Sequence, residues 1–118
     1  MKYILLIYLE EHALSDTERE QCYKDSVQLA QELNSKGQYL ATAPLHPVAT
    51  ATSVRVRDGK SLVTDGPFAE TREQLGGFFL IDAQDLDEAI AIATQIPAVQ
   101  VGTVEIRPVI EVAGLPES

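Results

Sequence analysis

Residues 2–9, KYILLIYL, form a near-continuous apolar run rich in aromatic and branched side chains. The run is far shorter than the roughly 18 apolar residues of a membrane span. It is also too continuous for a strand with one wet face, and so predicts a central strand buried on both faces. Such a strand demands two covers, one for each face of its sheet. The run leads straight into Glu10 and Glu11 with no small-residue cleavage site, so it is not read as a secretory signal.

The next segments supply the first cover. Ser15 and Glu18 make an S-x-x-E capping box, which satisfies free N–H groups at a helix start. Tyr23, Val27, Ala30 and Leu33 recur at helical spacing, with Cys22, Ser26 and Leu29 beside them, and Gly37 offers a left-handed stop. A helix is predicted over 16–36 and a strand over 38–43. Pro44 and Pro47 hold Leu45 and His46 in an irregular connection. Residues 52–57 (TSVRVR) and 60–64 (KSLVT) flank Asp58-Gly59, a pair suited to the positive φ angles of a tight hairpin turn. Residues 77–82 (GFFLID) predict another buried strand. Asp85 and Glu88 open a second helix whose apolar stripe is Leu86, Ala89, Ile90 and Ala93, and Pro97 bars it beyond Ile96. Residues 102–107 (GTVEIR) predict the last strand.

Without the 52–64 hairpin, the order is strand, helix, strand, strand, helix, strand. This is the α+β, ferredoxin-like βαββαβ arrangement, with both helices on one sheet face. A bare apolar second face is expected to be covered by a second copy, giving a homodimer. The 118 residues fit a single domain over 1–118.

Eighteen acidic residues against nine basic ones give a formal charge of -9 and no basic stripe, which argues against nucleic acid binding. The acidity reads first as a solubility device. Cys22 is the single cysteine, so no intramolecular disulfide forms. It falls on the inward side of the first helix, as a small buried hydrophobe. No segment reaches membrane-spanning length, and a cytoplasmic location is expected.

The run ATATSVRVRDGKSLVTDGPFAETREQLGGFFLID resembles the signature of DGPF-domain proteins, within the YCII-related superfamily. MKYILLIY, PLHPVATATSVRVRDG and VEIRPV resemble the same family, so the likeness spans nearly the whole chain. It implies a dimeric α/β barrel built from two ferredoxin-like protomers. It implies no fixed activity. Some members are encoded beside extracytoplasmic-function sigma factors, and distant members include a small-molecule dehydrochlorinase. A His–Asp active-site pair has been proposed in the superfamily, with the histidine near the first helix. Here that region holds Cys22, Tyr23 and Lys24 and no histidine, so the pair does not transfer directly.

Within DGPFAETREQLGG, Asp65 has two readings. Asp65-Gly66-Pro67 either turns the chain, with Asp65 bonding nearby N–H groups, or fixes Asp65 at a pocket mouth as base or anchoring carboxylate. Phe68 would then be a pocket wall. Glu70 and Glu73 would share one face if the segment were a short helix, where paired carboxylates can hold a cation or share a proton. The other reading is a solvated turn screened by Arg72.

His46 is a candidate because histidine is the side chain suited to proton transfer near neutrality, although a loop histidine is also ordinary polar surface. His12 beside Glu10 and Glu11 is a weak metal pattern. In GTVEIRP, Glu105 and Arg107 share one strand face and Val104 and Ile106 the other. The charged pair reads as an interface salt bridge, or Arg107 reads as an anion contact. Tyr8 could line the same space. No zinc spacing, nucleotide-binding glycine loop or serine elbow is present, so no cofactor is expected.

Two functions from different classes follow. One is a small-molecule enzyme of lyase or isomerase type, with its pocket between the sheet and the 44–77 excursion. Asp65 and His46 would be catalytic, with Arg107, Phe68, Glu70, Tyr8 and Glu105 around the ligand. The other is a non-catalytic interaction module whose partner is a sigma factor or another regulator.

Overall fold

A computed structural model describes residues 1–116. Six strands and two helices run in the order β1 (Lys2–Leu9), α1 (Asp16–Ser35), β2 (Tyr39–Pro44), β3 (Thr52–Arg57), β4 (Lys60–Asp65), β5 (Gln74–Asp82), α2 (Leu86–Ala93) and β6 (Thr103–Pro108). Short 3-10 turns occupy Val48–Thr50 and Pro97–Gln100. Strands β2, β5, β1 and β6 form one antiparallel sheet in that order, and β3 and β4 pair separately. Each helix therefore crosses over a strand, the ferredoxin-like α+β topology expected from the sequence.

Local chemistry explains where the elements begin and end. Ser15 Oγ accepts from Glu18 N at 3.2 Å, while Ser15 N donates to Glu18 Oε1 at 3.0 Å. The capping box is thus complete at the start of α1. Asp85 accepts from Glu88 N at 2.9 Å and starts α2. Asp58 and Gly59 carry φ angles of 52° and 74°, so the β3–β4 turn has the left-handed pair that its sequence predicted.

Register sorts the side chains into two faces. Leu5 lies opposite Phe79 and Ile106, and this row points at the helices. Tyr3, Leu5, Phe79 and Ile81 join Leu29 and Leu33 of α1 and Ala89, Ile92 and Ala93 of α2 in one core, closed by Ile96 and Ala98. The other face carries Leu6 opposite Phe78 and Glu105, and Ile4 opposite Leu80 and Arg107. Ala41 and Ala43 of β2 extend these two rows. The apolar members are half-buried, and both helices lie on the opposite side.

The helical stripes differ in part from expectation. Tyr23 and Val27 remain 44% and 57% exposed, and α1 is anchored through Leu29 and Leu33. Leu86 and Ile90 are also exposed, while Ala89 and Ala93 of the expected stripe are buried and Ile92 joins them in the core. Cys22 is half-buried against the core, and burial pushes its thiol pKa up from 9.0, with the Asp25 carboxylate adding to the shift.

Candidate functional site

Strand β2 ends at Pro44, and the chain then leaves the sheet until β5 resumes it at Gln74. Pro44 and Gly77 face each other in the β2–β5 register, so the excursion departs and returns side by side. Gly76 and Gly77 leave two consecutive strand positions without side chains. A Cβ at Gly77 would press on the Ala43 carbonyl oxygen at 3.0 Å, and one at Gly76 would occupy the place of Leu9 Cδ2. Glycine in a strand interior weakens it unless something must come close, and here the Ala43–Pro44 backbone does.

Below α1, this thinning leaves a cavity of about 490 Å³, within the usual range of roughly 300–1,000 Å³ for small-molecule sites. Its floor includes Ile7, Leu9 and Phe79; its roof is Tyr23, Ser26 and Val27; Thr42 to Pro47 and Gly76–Gly77 form one wall. Here lies the reason for the exposed half of the α1 stripe. Tyr23 and Val27 face the sheet side as their spacing demands, but they overhang the cavity instead of meeting packed side chains.

Polar groups sit at the edges. Glu11 Oε2 accepts from Val48 N at 2.8 Å, tying the end of β1 to the turn after His46. Arg19 Nη2 donates to the Glu11 carbonyl at 2.9 Å and Nη1 to Asp16 Oδ1 at 3.4 Å. Thr42 Oγ1 donates to the Phe78 carbonyl at 2.8 Å. Glu11, Arg19, Ser26, Thr42 and His46, with the Tyr23 hydroxyl, are the polar groups among an otherwise apolar lining.

The residues singled out from sequence fall in three places. His46 is exposed and lines the cavity at the root of the excursion. Asp65 ends β4 opposite Thr52, at the base of the hairpin, and is not part of the cavity lining. The Asp65 turn is closed by its neighbours: Gly66 N donates to the Ala51 carbonyl at 2.7 Å and Ser53 Oγ to the Gly66 carbonyl at 2.8 Å. Phe68 is 77% exposed, with the Arg55 guanidinium 5.5 Å from its ring centroid, a cation–π contact. Glu70 is exposed, and residues 66–73 form no helix, so Glu70 and Glu73 do not share a helical face. Glu73 instead accepts from Thr103 Oγ1 at 2.8 Å, and Arg72 Nε donates to Glu10 Oε1 at 2.6 Å. That hydrogen bond and the Glu10 charge raise the Arg72 pKa above its ordinary value.

The third group lies on the sheet face away from the helices. Tyr8 OH donates to Glu105 Oε1 at 3.4 Å, while Arg107 stands exposed opposite Ile4. Neither charge is buried within one chain. Among the described residues, no three His, Cys, Asp or Glu side chains gather into a group that could hold a metal, and no helix is long and apolar enough to cross a membrane.

Sequence reading missed Glu11, Arg19, Tyr23, Ser26 and Thr42 as cavity residues. The signal was present in Gly76-Gly77, two side-chain-free positions next to the buried FFLI run of β5, and in the prolines around Leu45-His46.

The model of the YCII-related domain family matches residues 1–113. A protein of Rhizobium meliloti (strain 1021), described only as uncharacterised, is 37% identical over 113 residues, covering 92% of this chain and 91% of the relative.

Proposed function

The chain belongs to the YCII-related family, and from that premise we propose that it is a small-molecule-binding enzyme of lyase or isomerase type whose ligand occupies the cavity below α1. The observation that carries this reading is the cavity itself: a largely apolar space of about 490 Å³ with His46 on its wall. An apolar cavity with a few convergent polar groups is the default form of a small-molecule site. A histidine there can take a proton from a ligand carbon or oxygen and return it, since its unperturbed pKa lies near neutrality.

In this proposal His46 is the proton-transfer residue. Asp65, at the hairpin base, is a carboxylate that acts on ligand entry or on the orientation of the excursion, and Phe68 and Glu70 belong to the same outer segment. Arg107, Glu105 and Tyr8 serve the other sheet face, where a second copy would pair or use the exposed charges. A homodimer through the Ile4, Leu6, Phe78 and Leu80 rows is part of the proposal, working in the cytoplasm.

Thermal-shift screening of small carboxylates and aromatics tests it on wild type, His46→Ala, Asp65→Ala and Val27→Trp. Val27 is an exposed helix position that lines the cavity, so a tryptophan there fills the space at little cost to the fold. A stabilising compound whose effect vanishes in Val27→Trp supports the cavity. A compound that still stabilises Val27→Trp but not Asp65→Ala would move the site to the hairpin base and sink the cavity reading.

A second reading is favoured by one observation. The hairpin face holding Val54, Val56 and Val63 is exposed, with these side chains 59% to 66% accessible. An interaction module would use such a face, for a sigma factor or another regulator. Under this reading, Val54→Glu with Val63→Glu abolishes co-purification of a specific protein while leaving ligand-induced thermal shifts intact.

A further inference from the structure

We infer that the cavity below α1 selects an uncharged ring compound that offers an acceptor oxygen to the Tyr23 and Ser26 hydroxyls; this rests on the small-molecule reading above. The lining fixes the charge of the guest. Glu11 and Arg19 contribute one charge of each sign. The Glu11 carboxylate is held by Val48 N, and the Arg19 guanidinium lies between the Glu11 carbonyl and the Asp16 carboxylate. Neither is left as an isolated ion that calls for a partner, and the chain as a whole carries a formal charge of -9. An anion would enter against that field, at an arginine already faced by a carboxylate. A cation would lose its hydration among apolar walls and meet a carboxylate already engaged.

The remaining polar capacity lies in the Tyr23 and Ser26 hydroxyls of the roof, each with a proton to donate, and in the His46 imidazole on the wall. The Tyr23 hydroxyl makes no hydrogen bond among the described residues, and the Ser26 hydroxyl sits next to the Cys22 thiol, a weak partner. Thr42 has already given its proton to the Phe78 carbonyl. An acceptor oxygen on the guest answers the two roof hydroxyls, while its ring rests on Leu9 and Phe79 below. The volume suits one or two rings.

Three probes with one ring and different heads separate the possibilities: acetophenone, benzoate and benzylammonium. Each is titrated into the full chain and followed by amide shifts in two-dimensional NMR. Acetophenone is expected to shift the amides of Leu9, Thr42, Gly76 and Gly77, with both ions on the order of 10-fold weaker because a charge must be desolvated. Tyr23→Phe is expected to weaken acetophenone by about 3- to 10-fold through the lost hydrogen bond, with Ser26→Ala adding to the loss. Benzoate or benzylammonium binding as well as acetophenone would overturn the selection for an uncharged guest. Unchanged acetophenone affinity in the Tyr23→Phe, Ser26→Ala double variant would overturn the acceptor contact. A different result removes the underlying reading itself: no probe shifts the cavity amides of the wild type, or the same shifts persist in Val27→Trp.

Discussion

A Cβ on Gly77 would lie 3.0 Å from the Ala43 carbonyl oxygen and 3.3 Å from Pro44 Cα, both backbone atoms of the neighbouring strand. Backbone cannot swing aside as a side chain can. Gly77→Ala should therefore cost about 1–3 kcal/mol of stability, read from urea unfolding. Gly76→Ala is a control from the adjacent position, because its new methyl would meet only Leu9 Cδ2. Leu9 can change rotamer, so stability should stay near wild type while the displaced side chain moves into the cavity and weakens any guest.

Glu18 gives a residue-scale prediction in pH. Hydrogen bonds from the Ser15 backbone and hydroxyl lower its pKa below 4.5. A lowered folded-state pKa means that the ionised carboxylate stabilises the helix start above about pH 4.5, and that this contribution fades as pH falls through the folded pKa. Carboxyl NMR titration should give a Glu18 midpoint below 4.5 in the wild type, and a higher one in Ser15→Ala. Loss of that cap should also cost about 0.5–2 kcal/mol.

At the scale of elements, the β3–β4 ribbon stands apart from the four-stranded sheet. Its strands hydrogen-bond to each other and to no other strand. Two strands alone are marginal in water. Hydrogen exchange should show β3 and β4 amides exchanging orders of magnitude faster than those of β1 and β5, which lie inside the sheet. Equal protection in the isolated protein would mean that the ribbon is covered.

The elements were legible where their ends carry chemistry: Ser15 with Glu18, Asp85, and the Asp58-Gly59 turn. The order of elements then fixed the ferredoxin-like topology. Burial was less legible. Spacing placed Tyr23 and Val27 on the sheet side of α1 but could not show that Gly76 and Gly77 leave a hole beneath them. The cavity arises from contacts between β1, α1, β2 and β5, and a one-dimensional pattern does not contain it. His46 was legible as a candidate from its residue type. Its company, Arg19, Glu11 and Tyr23, comes from three-dimensional proximity.

For the whole molecule, the governing feature is the sheet face opposite the helices. Ile4, Leu6, Phe78 and Leu80 form its apolar centre, with Glu105 and Arg107 on one flank. A second copy meeting it would bury these rows. Sedimentation should show a dimer, and unfolding temperature should rise with protein concentration. Phe78→Glu with Leu80→Glu should yield monomers, since two like charges on one face cannot be buried unpaired.

The closed base of the ribbon also bears on how such chains diversify. Ala51 and Gly66 are joined by one hydrogen bond, so the residues between them form a loop whose ends are already held together. Doubling the length of a flexible loop costs only about 0.6 kcal/mol. Insertions and deletions during evolution should accumulate at the ribbon tip sooner than anywhere in the four-stranded sheet. For the protein engineer, the hydrogen bond from Leu45 N to the Gly76 carbonyl, beside the Pro44–Gly77 pair of the sheet register, marks the inner limit of that freedom, and Asp58-Gly59 is the point at which to splice in a foreign peptide.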